Sequence, residues 1–400
     1  MRPSRLLVGN RGEIAVRILR AAGELGIGTV AIYSEDDKDA LHTRQADQSR
    51  ALRGSGAAAY LDGEQIIAVA KDAGCDAIHP GYGFLSENAA FARCCAEAGI
   101  AFIGPRFEIL ELFGDKVRAR ETAADAGVPV LAGTRGPTSL GQARQFFRSL
   151  GAGGAMMIKA IAGGGGRGVR AVEDLHQLDD AYARCQSEAK AAFGNGDVYV
   201  EQLVSTARHI EVQIAGDGSG AVSHLWERDC SIQRRHQKLI EIAPAPGLPA
   251  MLRERITAAA IQLARTVRFD NIGTFEFLVD ATHLTDDSTF AFIEANPRLQ
   301  VEHTVTEQVT GIDLVRVQLE LAGGASLESL GLLQEDVPAP RGFAIQVRVN
   351  METMTATGDV LPSGGRSWRS IHPRVREFAL TRLATPVTAP VPVSTRCWRR

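Results

Sequence analysis

RLLVGNRGEIAVRILRAAGELGIGTVAIYS, residues 5–34, reads as a strand, a glycine turn, a helix and a second strand. Arg5 to Val8 is a short, mostly apolar run, and Gly9 to Gly12 supply the turn. Ile14, Ile18, Ala22 and Leu25 then recur at helical spacing. Gly26 and Gly28 end the helix ahead of a β-rich run from Thr29 to Tyr33. A strand–helix–strand start of this kind builds a parallel sheet, so the fold class is α/β. A second unit follows, with a helix from Ile66 to Gly74 and a strand from Asp76 to His79. The next helix ends at Gly99 and takes Ser86 as its expected N-cap.

From about Val130 the pattern changes. GAGGAMMIKAIAGGGGRGVRAV, residues 151–172, places a glycine run between apolar runs and reads as a hairpin in a smaller, movable lobe ending near Glu201. HIEVQIAGD (209–217), GTFEFLVD (273–280) and FAFIEAN (290–296) then alternate with period two. The last two flank the polar stretch THLTDDST, so an antiparallel hairpin is expected there. No repeat of 20–50 residues is visible. Residues 366–400 hold eight Arg, one Glu and four Pro without sustained periodicity, and read as a linker or tail.

A length of 400 residues exceeds one compact core, so two or three lobes are expected. Lys+Arg of 44 against Asp+Glu of 47 gives a net charge of −3, which supplies no basic field for nucleic acid. No apolar run approaches the roughly 20 residues of a membrane span, and no signal-peptide core opens the chain. The six cysteines form no C-x-x-C pair and read as reduced thiols of a cytoplasmic protein.

Three stretches carry chemistry. GGGGRG at 163–168, with Lys159 upstream, suits phosphate contact, because glycine lets backbone N–H groups approach phosphate oxygens. In FIEANPRLQVEH, the residues Glu294, Asn296, Arg298, Gln300 and Glu302 share one parity, so an extended chain past Pro297 would line one face with them. Pairing with GTFEFLVD would turn Glu276 and Glu294 toward one cavity. Two carboxylates beside a phosphate loop suit Mg²⁺. Arg298 would offer a planar fork to a small oxyanion, and Glu302 a base. DCSIQRRHQKLIEIAPAP carries Gln233, Arg234, Arg235, His236 and Lys238, and runs into an apolar segment that draws part of this charge inward. It reads as polyphosphate or anion contact, against the alternative of a solvated face.

Six motifs together resemble the biotin carboxylase family. They are VGNRGEIAVRI at 8–18, HPGYGFLSEN at 79–88, GDKV at 114–117, KAIAGGGGRG at 159–168, ERDCSIQRRHQK at 227–238 and EANPRLQVEHTVTE at 294–307. The resemblance implies an ATP-grasp fold, with an N-terminal βαβ parallel-sheet domain, a mobile glycine-rich lid and an antiparallel-sheet C-terminal lobe. It further implies that ATP activates bicarbonate as carboxyphosphate, whose carboxyl group passes to biotin on a carrier protein. Lys116 and Lys159 would contact nucleotide phosphates under a lid of Gly163, Gly164, Gly165, Gly166, Arg167 and Gly168. Glu201 and His209 would contact the nucleoside, Leu278 would lie under the adenine, and Gln233 and His236 near the nucleotide. Glu276, Glu294 and Asn296 would hold Mg²⁺, with Mn²⁺ as the alternative. Lys238, Arg298, Gln300 and Val301 would position bicarbonate, the valine through its backbone, and Glu302 would remove its proton. Arg348 would stabilise the enolate-like oxygen of biotin.

The expected boundaries are 1–113 for the N-terminal domain, 114–323 for the ATP-grasp domain with its lid at about 130–203, 324–365 for the start of a C-terminal domain, and 366–400 for an aberrant tail. Gln202 and Gln346 stand where the family carries Lys and Glu, and after LPSGG the family pattern stops. A frameshift or truncation after about residue 365 is the expectation for this tail. No Met-Lys dipeptide occurs, so the biotin carrier and the carboxyltransferase are expected as separate partners; the resemblance implies a homodimer. Two other readings stay open: an ATP-binding remnant without turnover, and an ATP-grasp ligase of carbamoyl-phosphate synthetase type.

Overall fold

The computed structural model describes residues 2–151, 153–161, 168–234, 237–350, 352–355 and 360–362. The tail at 366–400 and the reading made of it lie outside these residues.

The opening unit forms as its pattern dictates: β1 (Arg5–Val8), α1 (Gly12–Glu24) and β2 (Gly28–Tyr33). Ile14, Ile18 and Ala22 turn into the core, and Leu25 caps the helix half-buried. With β3 (Gln48–Ala51), β4 (Ala77–His79) and β5 (Ala101–Phe102) these strands make a five-stranded parallel sheet in the order β3-β2-β1-β4-β5. The intervening helices are α2 (Leu41–Gln45), α3 (Gly63–Asp72) and α4 (Ala89–Glu97). The strand order reverses between β1 and β4, and ligands gather in the crevice outside the carboxyl ends at such a switch point. The loops GNRG and HPGYG leave those two ends side by side, tied by Asn10 Nδ2 donating to the carbonyls of Pro80 (2.7 Å) and Tyr82 (2.9 Å).

One expectation here is corrected. Asn88, not Ser86, caps α4, accepting from the Phe91 N–H at 2.9 Å. Ser86 falls in the preceding turn, where its N–H bonds the Gly83 carbonyl, two residues too early to reach the first turn of the helix.

Helices α5 (Phe107–Gly114) and α6 (Lys116–Asp125) lead into a smaller unit of α7 (Leu140–Ser149), β6 (Met156–Ala160), β7 (Val169–Val172), α8 (Leu178–Phe193) and β8 (Val198–Gln202). Its three antiparallel strands run in the order β7-β6-β8, so the glycine-dense stretch does join two paired strands.

The third sheet is antiparallel and six-stranded. Its members are β9 (Ala207–Asp217), β10 (Val222–Arg234), β11 (Gln237–Ala243), β12 (Asp270–Asp280), β13 (Phe290–Asn296) and β14 (Ala344–Val347), in the order β13-β12-β9-β10-β11-β14. Helix α9 (Ala250–Thr266) covers one face, where Ile210, Val212, Phe275, Phe277 and Phe292 are all fully buried. Each such side chain stabilises the fold by about 1.5–3 kcal/mol relative to exposure, so this face anchors the sheet. Period-two alternation sends the polar residues of the same strands to the opposite face. Helices α10 (His303–Thr310) and α11 (Leu314–Ala322) follow β13, and a short hairpin of β15 (Glu352–Met354) and β16 (Val360–Pro362) ends the described chain. No described helix is long and apolar enough to cross a membrane.

Candidate active site

The polar face of the six-stranded sheet is a buried layer of charge. In β9, His209, Glu211 and Gln213 alternate with Ile210, Val212 and Ile214. Register sets them opposite Leu278, Glu276 and Thr274 of β12. Arg228 of β10 lies opposite Glu211. With no solvent exposure, its guanidinium donates to Glu211 (2.5 Å), Gln213 (2.9 Å), Thr306 (2.9 Å) and Thr274 (3.1 Å), which satisfies a buried cation from four sides.

Lys238, on β11, enters this layer as its apolar neighbours suggested. Its Nζ lies 2.5 Å from Glu211, 2.6 Å from Glu302, 3.0 Å from Glu276 and 3.3 Å from the Gln300 amide oxygen. Burial works against the ammonium, but the three carboxylates outweigh it and hold its pKa well above the usual lysine range. The same pairing acts on Glu302. Burial would raise its pKa, yet Lys238, Arg348 and Arg228 pull it down to about 2.

The extended stripe past Pro297 does not form. Strand β13 stops at Asn296, Val301 and Glu302 occupy a turn, and Glu302 is the N-cap residue of α10. Proline at 297 supplies no N–H for a further ladder bond, and alternation of faces ends with the strand. The side chains converge nevertheless. Asn296 Nδ2 donates to Glu276 at 2.6 Å, Gln300 Nε2 to the same oxygen at 3.1 Å, and Arg298 Nη2 to Asn296 Oδ1 at 3.1 Å. Arg298 also pairs with Glu87 at 3.2 Å, which brings the turn that follows the HPGYG loop against this cluster. Arg348 closes the far side, with Nη2 2.9 Å from Glu302 Oε2 and Nε 2.5 Å from Glu241 Oε1.

Toward the smaller unit, Glu276 and Glu294 are direct cross-strand partners. Asp115 caps α6 and so starts that helix at Lys116, whose Nζ is 3.5 Å from Glu294. Lys159 pairs with Glu201, and Arg120 stands 3.8 Å from the same carboxylate. His209 Nε2 meets Glu276 at 2.5 Å while Gln233 Nε2 lies 2.8 Å from its Nδ1. Burial opposes the imidazolium, but Glu276 outweighs it and raises the His209 pKa. Leu278 is half-buried opposite His209. Gly168 adopts φ +65° with Ala160 close behind it. Gly163, Gly164, Gly165, Gly166, Arg167 and His236 lie outside the described residues.

Sequence reasoning missed Glu211, Arg228, Glu241 and Glu87 as members of this constellation. Glu211 carried a signal, since it is a carboxylate at the polar parity of an otherwise apolar strand, as Glu276 is.

The donor sets can be weighed for a divalent cation. Ligand atoms of His209, Glu211 and Glu276 lie within 4.8 Å of one another, as do those of Glu211, Cys230 and Glu302. Both oxygens of Glu211, however, are engaged by cations, Arg228 and Lys238. Glu276 is engaged as well, by Lys238 on Oε1 and His209 on Oε2, so the oxygen set of Glu276, Glu294 and the Asn296 amide, of the kind a hard cation such as Mg²⁺ takes, would exchange those contacts for the ion; Glu294 is the more exposed of the two carboxylates.

A pH dependence follows from Glu302. Its pKa is depressed from 4.5 to about 2, so its stabilising contribution is complete above about 4.5 and is lost as pH falls toward 2. Circular dichroism at fixed urea should show stability falling across that window. A Glu302→Gln variant should fall less steeply there, and equal slopes would contradict the assignment.

Comparison with known proteins places this geometry. The family profile described as biotin carboxylase, N-terminal domain, matches residues 2–110, and that described as carbamoyl-phosphate synthase L chain, ATP binding domain, matches residues 115–330. Pyruvate carboxylase of Staphylococcus aureus is 53% identical over 367 residues, which is 90% of this chain and 31% of that protein. Human mitochondrial pyruvate carboxylase is 52% identical over 352 residues, 87% of this chain and 29% of that one. The chain thus spans about a third of the length of the curated relatives it matches. Among solved structures, the β-γ-ATP complex of Campylobacter jejuni biotin carboxylase aligns with a TM-score of 0.86 at 43% identity, covering 94% of this chain and 81% of that one. The biotin carboxylase domain dimer of Hydrogenobacter thermophilus 2-oxoglutarate carboxylase, in complex with MgADP, ADP and bicarbonate, aligns with a TM-score of 0.83 at 43% identity, over 88% of this chain and 76% of that one. With both profiles in chain order and these structures matched over most of their length, the chain belongs to the biotin carboxylase family.

Proposed function

We propose that this chain performs the first half-reaction of a biotin-dependent carboxylase, in which ATP and bicarbonate form carboxyphosphate and the carboxyl group moves to a ureido nitrogen of carrier-bound biotin. The observation that supports it best is one carboxylate, Glu302, held between Lys238 and Arg348. In this reading Glu302 is a base lying between a cation suited to bicarbonate and a cation suited to a developing enolate oxygen.

On the same reading Lys116, Lys159 and Gln233 meet the nucleotide, and the contacts proposed for Gly163 to Gly168 and for His236 fall, Gly168 apart, on residues outside those described. Glu201, His209 and Leu278 surround the nucleoside. Glu276 and Glu294, with Asn296, would hold Mg²⁺ or Mn²⁺, which when bound neutralises charge at the transferring phosphoryl group. Arg298, Gln300, Lys238 and the Val301 backbone position bicarbonate. Its proton passes to Glu302, a bicarbonate oxygen bonds the γ-phosphorus, and ADP leaves. The C–N bond to biotin then forms as phosphate departs, and the departing phosphate takes the N–H proton. The low pKa of Glu302 keeps it ionised at rest. Its basicity rises as Lys238 turns to the incoming anion and Arg348 to biotin.

The carrier and carboxyltransferase are the proposed partners, a homodimer the proposed assembly, and a 2-oxo acid such as pyruvate the proposed final acceptor. A cytoplasmic setting suits the five described cysteines, all unpaired. The test is ADP formation with Mg²⁺, bicarbonate and free biotin. Hydrolysis that needs bicarbonate and rises with biotin is expected. Nucleotide binding without biotin-stimulated turnover would favour the remnant reading instead.

A further inference from the structure

Arg348 has a second carboxylate behind it. While Nη2 reaches Glu302, Nε donates to Glu241 Oε1 at 2.5 Å. Glu241 has no solvent exposure, and its other oxygen has no hydrogen-bond partner among the described residues. A buried carboxylate with one oxygen unsatisfied is a costly arrangement. Arginine–carboxylate pairs are frequently bidentate. Glu241 instead takes the single Nε and leaves the Nη edge directed at Glu302.

The backbone reinforces this arrangement. Strands β11 and β14 are antiparallel, with Glu241 opposite Gln346, and the Arg348 N–H continues the ladder to the Leu239 carbonyl at 2.9 Å. Gln346, of the same parity as Arg348, accepts from Thr304 in α10 at 2.5 Å. The root of Arg348 is therefore fixed to the element that Glu302 caps, while its guanidinium is shared by two carboxylates. Burial pushes the Glu241 pKa up to about 7 against the pull of Arg348, with Glu302 and Glu211 adding to the rise.

We propose that Glu241 is a positioning residue for Arg348, holding the guanidinium by Nε so that its Nη edge transfers from Glu302 to the biotin ring oxygen without the side chain leaving the site. This rests on the function proposed above. With glutamine at 241 the negative charge behind Arg348 is gone, Glu302 becomes the only anion paired with it, and transfer to biotin is disfavoured.

The experiment is a double-mutant cycle of Glu241→Gln and Arg348→Ala, read as ADP release stimulated by free biotin. E241Q should lower the biotin-dependent kcat by about 10–100-fold, the usual effect of removing a group that orients a reacting residue. The KM values for ATP and biotin should move less than about threefold, because the interaction matters in the transition state. In the R348A background E241Q should add no further loss. Glu241→Asp, which keeps the charge, should recover part of the rate, and it replaces E241Q in the cycle if the glutamine variant does not fold. A kcat within about twofold of wild type for E241Q, or losses that multiply in the double variant, would overturn the role. R348A at the wild-type rate overturns the use of Arg348. A wild-type chain without biotin stimulation overturns the function itself and this role with it.

Discussion

Glu302→Gln is expected to lower bicarbonate-dependent ATP cleavage by about 10²–10⁴-fold, the range for losing a positioned general base. The substitution keeps shape and hydrogen-bonding capacity but removes the proton acceptor. The fold should survive it. Lys238 keeps Glu211 and Glu276, and Arg348 keeps Glu241, so neither cation is left buried alone. ADP release measured with and without bicarbonate, beside thermal unfolding of both proteins, checks the expectation. A variant turning over within tenfold of wild type would remove Glu302 as the base.

Lys238→Met should show the largest combined effect, on stability and activity together. Methionine fills most of the volume but leaves Glu211, Glu276 and Glu302 facing one another with far less positive charge among them. Breaking a buried ion pair by removing one partner costs about 3–5 kcal/mol. The pH dependence of this loss has a definite sign. Without the ammonium, the carboxylates are harder to ionise, so the deficit is largest near neutral pH and narrows as they protonate toward acid. Urea unfolding at pH 7 and pH 5 reads both points. A loss below about 1 kcal/mol, or one that widens toward acid, would show that the cluster is not held by this cation.

Much of the scaffold was legible in the chain order. Strand β1 and the start of the parallel sheet follow from one apolar run, one glycine turn and one helical stripe. The hairpin of β12 and β13 follows from two alternating segments around a polar turn. Helix α9 is harder to read in the chain order, although Leu252, Ile256, Ala260 and Leu263 mark its buried face at helical spacing. The alanines and arginines between them dilute that contrast.

The site was legible in its members and not in its geometry. The reading of 294–302 as an extended stripe grouped residues whose side chains do converge, but strand alternation is not what brings them together. Past Pro297 they meet because a turn and the start of α10 fold them back onto β12. Glu241, between Ile240 and Ile242, carries the same local sign as Glu211, but its partner Arg348, like the Arg298 that meets Glu87, is too distant in sequence to be read from it.

Residue order alone was sufficient for the type of those strands and helices whose periodicity is clean, for their polar and apolar faces, for the six family motifs and for the chemical kinds of group present. These depend on neighbours one to four positions apart, where backbone periodicity acts. Which charges meet was decided only when the sheets assembled. Lys238 reaches carboxylates 27, 38 and 64 positions away, and Arg348 reaches Glu241 across 107. Buried charges are stable only in the company of opposite ones. Packing of the apolar faces therefore chose the partners, and with them the depressed pKa of Glu302 and the placement of Arg348 between two carboxylates.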